Sequence, residues 1–227
     1  MKQSYFVTGT DTDAGKTLVS AALLHKWSSE GFQTLGIKPV AAGCERVDGE
    51  LLNGDALALM AEASIDLAYA QVNPVALEPA IAPHIAAAKV GINLTADRLT
   101  AYCRGTLMRK YDRALIEGAG GWRVPLNDRE PLSRVAQELG FPVILVVGMK
   151  LGCLNHALLT AEAIRRDGLR IAGWVANRAE PEMSEYDANL GWLAKAIGAP
   201  LLGAIPHLSN ASAAEAATYL DTSALDR

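Results

Sequence analysis

The feature that most constrains the fold is the stretch GTDTDAGKT at residues 9–17. It ends in Gly-Lys-Thr, as phosphate-binding loops do, but five residues separate Gly9 from Gly15 where the usual pattern has four. A short apolar run at residues 5–7 precedes it, and apolar residues at helical spacing follow it. Phosphate-binding loops lie between a strand and a helix in this way, because backbone N–H groups at the helix start face the anion. This context favours such a loop over the alternative, a glycine turn with a capping threonine.

The rest of the chain alternates short apolar runs with longer segments of helical spacing. We predict strands at residues 5–7, 34–37, 113–116, 143–147, 170–176 and 200–204. We predict helices at residues 17–28, 55–63, 95–110, 132–139, 154–166 and 186–197, and a proline-containing connection at residues 73–83. This alternation predicts an α/β fold with a mostly parallel sheet covered by helices on both faces.

Composition limits the classes of protein and site that fit. The chain has 227 residues, of which 50% are hydrophobic, and we expect a single domain over residues 1–227. A net charge of −4 offers no attraction to nucleic acid or to acidic membranes. The three cysteines are far apart and form no CxxC pair, so a disulfide framework or zinc site is not expected. No apolar run has the length of a membrane span, and we expect a cytoplasmic protein without membrane or nucleic-acid partners.

The polar residues at the carboxyl ends of the strands are the candidates for chemistry, because parallel sheets bind ligands there. Lys16 is positioned to reach terminal phosphates, and the hydroxyl of Thr17 is positioned for Mg²⁺. Mg²⁺ prefers oxygen ligands and usually takes one or two carboxylates. Glu117, which follows an apolar run, is the clearest carboxylate. Asp55 is a second candidate, although an acid in the first turn of a helix is also favourable for the helix itself.

Several motifs occur in a fixed order along the chain: GTDTDAGKT, IKPVAAG, NGDALAL, IEGAGGW, VILVVGMKLGCLNHALLTA, GWVANR and LLGAIPHL. With these motifs the chain resembles the dethiobiotin synthetases, the ATP-dependent ring-closing enzymes of biotin synthesis. The resemblance extends from Tyr5 to about Leu208. The family's phosphate loop has the same longer spacing, and the resemblance implies a single-domain P-loop NTPase-like fold.

The resemblance implies an ATP site made of the phosphate loop, two acidic residues and the segments that follow later strands. The amide of Asn177 would bind adenine, since it presents both a donor and an acceptor. Thr17, Asp55 and Glu117 would bind Mg²⁺. The full set of implied ATP-binding residues is Asp13, Ala14, Gly15, Lys16, Thr17, Leu18, Asp55, Glu117, Gly118, Ala119, Gly120, Asn177, Arg178, Pro206, His207 and Leu208.

The implied substrates are 7,8-diaminononanoate, CO₂ and ATP. Lys38 and Lys16 are the implied catalytic residues. The diamine would contact two groups of residues: Thr12, Lys38, Ala42 and Gly120 near the reacting nitrogens, and Leu151, Asn155 and Tyr186 near its carboxylate. In the family the second group comes from the partner subunit, and the resemblance therefore implies a homodimer.

Three positions depart from the family pattern. Ala42 stands where serine is common. Alanine cannot make the hydrogen bond that the serine hydroxyl would offer near the carbamate, the group that the diamine forms with CO₂. Asp13 replaces a glutamate of the loop, and Arg178 follows Asn177 where an acid is common. None of these departures removes a group that the chemistry requires.

The main alternative is a dimeric P-loop ATPase switch that acts on a protein partner. Loops of that class carry a signature lysine five residues before the loop lysine, and here that position is Asp11. Residues 213–220 also lack the Lys and Arg of a membrane-binding helix. An amidotransferase-like synthetase would usually carry a second domain. The observation that separates these classes is whether ATP hydrolysis requires a small diamine with bicarbonate or a protein or lipid surface.

Overall fold

The computed structural model describes residues 2–178 and 180–226. The strands are β1 (Gln3–Gly9), β2 (Thr34–Ile37), β3 (Val40–Ala42), β4 (Glu45–Val47), β5 (Glu50–Leu52), β6 (Val75–Leu77), β7 (Arg113–Glu117), β8 (Val143–Gly148), β9 (Ile171–Asn177) and β10 (Leu201–Ile205). The helices are α1 (Lys16–Ser29), α2 (Gly54–Glu62), α3 (Tyr69–Val72), α4 (Pro83–Lys89), α5 (Ala96–Thr106), α6 (Ser133–Leu139), α7 (Cys153–Arg166), α8 (Tyr186–Ala196) and α9 (Ala213–Ala217), with a 3₁₀ helix at Ser223–Asp226.

Six strands form one parallel sheet in the order β10-β9-β8-β1-β7-β2. The predicted α/β fold with a parallel sheet is therefore confirmed. The position of β7, between β1 and the edge strand β2, has a direct consequence for the site. The carboxyl ends of these three strands lie side by side, which brings the phosphate loop after β1, Glu117 at the end of β7 and Lys38 after β2 to the same edge of the sheet.

Both faces of the sheet are covered, as the continuous apolar runs of its central strands require. In β8, Val143, Leu145 and Val147 pack in the cluster formed with α5, α6, α7 and α8. The alternate residues Ile144 and Val146 pack in the cluster formed with α1 and α9. The helices on each side of the sheet thus bury their apolar residues against one of its two faces.

The connection at residues 73–83 differs from the prediction, since it contains β6, which pairs in parallel with β3. The β4–β5 hairpin and the short helices α3 and α4 were also not predicted. Strands β4, β5 and β6 have only three residues each and α3 has only four, which is too short to show a reliable period. The helix predicted to reach Lys110 ends at Thr106, directly after Gly105, which weakens a helical turn. Among the described residues, no helix has the length and apolarity that a bilayer crossing requires.

Candidate active site

The phosphate loop has an unusual backbone at its end. Gly15 is the N-cap of α1 with a φ of 89°, and Asp13 also has a positive φ of 60°. Gly15 allows a close approach, because a Cβ at this position would lie 2.0 Å from the Nδ2 of Asn177. None of the described side chains caps the first turn of α1. The first N–H groups of α1 are therefore available to an anion.

Lys16 lies in the first turn of α1 and is almost completely buried. Its Nζ donates a hydrogen bond to the backbone oxygen of Asp11, at 3.2 Å. Burial lowers the pKa of the Lys16 ammonium, and the nearby charge of Lys38 lowers it further. The nearby carboxylates act in the opposite direction but do not outweigh these two effects. An ammonium in this position gains stabilisation from any anion that enters the loop.

Lys38 is only 3% exposed and joins two carboxylates. Its Nζ lies 2.6 Å from Oδ2 of Asp55, 2.6 Å from Oε1 of Glu117 and 3.2 Å from the backbone oxygen of Gly118. The three donors of the ammonium are thus all used. Burial opposes the charge, but Glu117 and Asp55 outweigh it, and the pKa of Lys38 is raised. Lys38 is consequently held as a cation.

Asp55 lies in the first turn of α2, as one of the two roles considered for it requires, but it is not the N-cap. The side chain of Asn53 accepts hydrogen bonds from the N–H groups of Asp55 and Ala56, and Asn53 is the N-cap of α2. The Asp55 carboxylate, which remains partly exposed, turns towards Lys38 instead. Although burial acts in the opposite direction, the charge of Lys38 lowers the pKa of Asp55. The carboxylate is therefore available to a cation.

The oxygens around Glu117 are suited to Mg²⁺. The described residues contain no cluster of three or more His, Cys, Asp or Glu placed to hold a metal. The Thr17 hydroxyl, however, donates to Oε1 of Glu117 at 2.9 Å, and Oε2 of this fully buried carboxylate has no partner among the described residues. Mg²⁺ typically takes one or two carboxylates and completes its shell with waters and phosphate oxygens. The donor set fits that ion.

A cavity of about 810 Å³ brings most of these groups together. Its walls include Thr12, Asp13, Gly15, Lys16, Thr17, Lys38, Ala42, Asp55, Ala119 and Gly120 from the residues predicted by sequence, and also Ala41, residues 80–83, Val124 and Pro125. Glu117 and Gly118 lie behind this wall, in contact with Lys38. The volume is that of a small-molecule site.

Ala14 and Leu18 of the phosphate loop do not line this cavity, and two further groups of predicted residues lie outside it. Leu151 is 98% exposed, Asn155 is exposed at the start of α7, and Tyr186 at the start of α8 lies 5.3 Å from the Arg178 guanidinium. Within one chain, these three residues do not line the cavity.

The second group follows strands β9 and β10, which are neighbours in the sheet. Asn177 ends β9, is buried, and donates from Nδ2 to the backbone oxygen of Ala14 at 3.1 Å. The Arg178 N–H bonds to the backbone oxygen of Ile205 at the end of β10, immediately before Pro206, His207 and Leu208. The segment 206–208 therefore begins beside Arg178, on the Asn177 side of the phosphate loop.

Comparison with known proteins identifies the family. A family model described as an AAA domain matches residues 3–215. The ATP-dependent dethiobiotin synthetase BioD of Cellvibrio japonicus is 57% identical over 224 residues, which cover 99% of this chain and 98% of that protein. The chain belongs to the dethiobiotin synthetase family. The family's enzyme from Pseudomonas paraeruginosa is 56% identical over 218 residues, covering 96% of each chain. The resemblance inferred from the motifs is thus confirmed, and with it the ATP-dependent ligase activity.

Solved structures show how widely the fold is shared. A ParA family ATPase from Chlorobium tepidum superimposes with a TM-score of 0.58 at 16% identity, covering 96% of this chain and 91% of that one. The septum site-determining protein MinD of Pyrococcus horikoshii, solved with Mg-ADP, gives a TM-score of 0.57 at 19% identity, covering 95% and 93%. These likenesses confirm the P-loop ATPase fold alone. The dethiobiotin synthetase relatives, not these, decide the function.

The structure gives Asp11 a contact that sequence reasoning missed. Asp11 occupies the place where the ATPase-switch loops have their signature lysine. Here its Oδ2 lies 2.7 Å from Nζ of Lys150 and 3.8 Å from Nδ1 of His156. The hydrogen bond from Lys150 lowers the pKa of Asp11. In this dethiobiotin synthetase family member, Asp11 thus joins the phosphate loop to the segment around the start of α7.

A second missed residue is Asp167, which follows α7. It accepts hydrogen bonds from Nε1 of Trp122 at 2.7 Å and from the two terminal nitrogens of Arg123 at 2.6 Å and 2.8 Å. Trp122 and Arg123 directly follow the glycine-rich segment 118–121. Asp167 therefore anchors the end of that segment to α7. Nothing in the sequence indicates that Asp167 contacts Arg123 and Trp122, which lie 44 and 45 positions before it.

Proposed function

We propose that this chain converts 7,8-diaminononanoate, CO₂ and ATP to dethiobiotin, ADP and phosphate. The observation that carries this proposal is the sequence identity of 57% and 56% to two dethiobiotin synthetases over nearly the full length of the chain. The geometry supports it, because two buried lysines and a carboxylate pair meet at one cavity of small-molecule size. We also propose a single-domain protein that acts in the cytoplasm.

The reaction would proceed in three steps. One amine of the substrate adds to CO₂ and loses a proton, which gives a carbamate. A carbamate oxygen attacks the γ-phosphorus of ATP and displaces ADP, which forms a carbamic–phosphoric anhydride. The second amine attacks the carbamoyl carbon, loses a proton and expels phosphate, which closes the ureido ring. These steps need positioning and charge neutralisation more than covalent participation by the protein.

Lys16 and Lys38 supply positive charge where negative charge accumulates. Lys16 would contact the terminal phosphates from the start of α1, and Lys38 would contact the carbamate and transferring phosphoryl oxygens. Cations fixed in a buried site stabilise such charge without reorganisation during the reaction. Thr12 and Gly120, which line the same cavity, would contact the reacting centre. Ala42 would leave its part of the wall apolar.

The nucleotide would lie along the phosphate loop, from the carboxylates towards the ends of β9 and β10. The loop residues 13–18 and the segment 117–120 would bind the phosphates. Thr17, Asp55 and Glu117 would hold Mg²⁺, which neutralises phosphate charge when bound. Asn177 and Arg178, with Pro206, His207 and Leu208, would form the adenine pocket. The contact of Asn177 with Ala14 supports this arrangement, because it joins the two ends of the site.

The diamine carboxylate would bind at a site that a second subunit completes. Leu151 and Asn155 are exposed and Tyr186 is half-buried, and none of the three lines the cavity of its own chain. In a homodimer these residues would lie against the partner's cavity, and the N–H groups at the start of α7 would meet the carboxylate.

The activity is tested by product analysis. The protein is incubated with 7,8-diaminononanoate, ¹³C-bicarbonate, Mg²⁺ and ATP, and products are identified by mass. We expect dethiobiotin that carries one ¹³C atom, with ADP and phosphate in equal amounts. Reactions without the diamine measure ATP hydrolysis that is not coupled to ring closure. The proposal would be rejected in favour of an ATPase switch if the rate of ATP hydrolysis did not depend on the diamine, or if hydrolysis required a protein or lipid surface.

A further inference from the structure

We infer that the Lys38 ammonium and a magnesium ion are alternative occupants of the position between Asp55 and Glu117, so that Lys38 turns into the cavity when the metal binds. This inference rests on the proposed function for the identity of the ion. It adds an order of events: the metal loads first, and Lys38 then becomes available to the substrate.

The first step of the argument is the geometry of the ammonium. Lys38 donates to Oδ2 of Asp55 and Oε1 of Glu117, each at 2.6 Å, and these two residues are also the carboxylates suited to the metal. All three donors are used, so an ammonium held in this way has no proton left for a substrate oxygen. A catalytic contact by Lys38 therefore requires that at least one of these bonds breaks.

The second step is electrostatic. Mg²⁺ approaches oxygen ligands to about 2.0–2.1 Å, closer than the ammonium does. A dication bound to Asp55 and Glu117 would lie a few ångströms from the ammonium in a buried site, where like charges repel strongly. The two cations therefore compete for the same oxygens. The unpaired Oε2 of Glu117 offers a further oxygen to a metal, beyond those that Lys38 uses.

The third step is the space available to the displaced side chain. Lys38 lines the cavity beside Ala41, Ala42 and Gly120, whose side chains are small or absent. The cavity volume of about 810 Å³ accommodates an ammonium as well as a ligand. Once displaced, Lys38 would keep its charge by binding an anion there. Metal binding would thus free the Lys38 ammonium to contact the carbamate.

The test measures Mn²⁺ affinity by electron paramagnetic resonance, without nucleotide, for the wild type, Lys38→Met and Lys16→Met. We expect Lys38→Met to bind Mn²⁺ at least about tenfold more tightly than the wild type, because its competitor is gone. Lys16→Met also removes a buried charge from the cavity, but Lys16 bonds to a backbone oxygen and not to the carboxylates. It should change the affinity much less. Unchanged affinity in Lys38→Met, or equal gains in both variants, would overturn the inference.

A measurement on the wild type keeps the inference testable if Lys38→Met does not fold. Lysines are acylated with acetic anhydride with and without Mn²⁺, and peptide masses give the rate at each site. We expect faster acylation of Lys38 with Mn²⁺ and little change at exposed Lys110. An unchanged rate at Lys38 would contradict the exchange. Dethiobiotin formation by the same preparation before acylation separates the two proposals, since product without exchange refutes only the inference, and exchange without product refutes only the proposed function.

Discussion

Asn177 at the end of β9 donates a side-chain hydrogen bond to the backbone oxygen of Ala14 in the phosphate loop, at 3.1 Å. This bond spans 163 positions of sequence and joins the segment proposed for adenine to the segment proposed for phosphate. It is possible only because Gly15, the next residue, has no side chain to occupy that space. The loop and the end of β9 are thus built as one unit.

The first prediction concerns Gly15→Ala. The new Cβ would lie 2.0 Å from Asn177 Nδ2, and the positive φ adds strain of about 1–3 kcal/mol. We expect both a lower melting temperature and at least a tenfold loss of ATP affinity (about 1.4 kcal/mol), measured by calorimetric titration. Gly31→Ala is the matched control, because Gly31 has nearly the same φ of 91° with open space around it. It should lose stability only. Equal ATP affinity in both variants would disprove the role of this contact.

The second prediction concerns turnover in Lys38→Met. Loss of one preorganised cation should lower kcat by about a hundredfold, or about 3 kcal/mol, with ATP binding retained. The removal also leaves the buried Glu117 carboxylate without its cation, and we expect lower thermal stability that Mg²⁺ partly restores. Steady-state kinetics and melting curves with and without Mg²⁺ measure both effects. Exposed Lys110→Met should match the wild type. Full turnover in Lys38→Met would remove Lys38 from the chemistry.

The third prediction concerns Asn155→Ala. Loss of one hydrogen bond to the substrate carboxylate should raise KM for the diamine about tenfold or more, with KM for ATP unchanged. Equal effects on both substrates would contradict the assignment.

The same variant also tests whether Asn155 acts across a subunit interface. Asn155→Ala chains are mixed with Lys38→Met chains under conditions that exchange subunits. A hybrid dimer then contains one site with both residues intact, and activity with a wild-type KM should return. If Asn155 served its own subunit, mixing would restore no such site.

The fourth prediction concerns Asp167→Asn. This change keeps the size of the side chain but weakens the paired hydrogen bonds to Arg123 and leaves one polar contact unmatched, at a cost of about 1–3 kcal/mol. The glycine-rich segment 118–121 would then be held less precisely, and we expect kcat to fall about tenfold with the ATP affinity nearly unchanged. Asp112→Asn serves as the control, because Asp112 accepts a backbone hydrogen bond from Gln33 away from the cavity. Equal kcat in the two variants would leave Asp167 a purely structural role.

The sequence by itself determined the six strands of the main sheet and part of the candidate site. The apolar runs and helical spacing predicted the six strands of the sheet, because burial on both faces leaves a continuous apolar pattern in each strand. Lys16 and Thr17 could be located because the phosphate loop is a local motif, in which a few consecutive residues set the backbone geometry. Glu117 could be located because it ends an apolar strand.

Only the tertiary structure decided which distant side chains meet. The place of β7 between β1 and β2 brings Lys38 to Glu117 across 79 positions, and no local pattern records that sheet order. The same holds for Asp11 with Lys150 and for Asp167 with Trp122. Short-range periodicity reports which residues are buried and how the backbone turns. The pairing of buried charges depends instead on strand order and on the packing of helices over the sheet, which arise from the whole chain together.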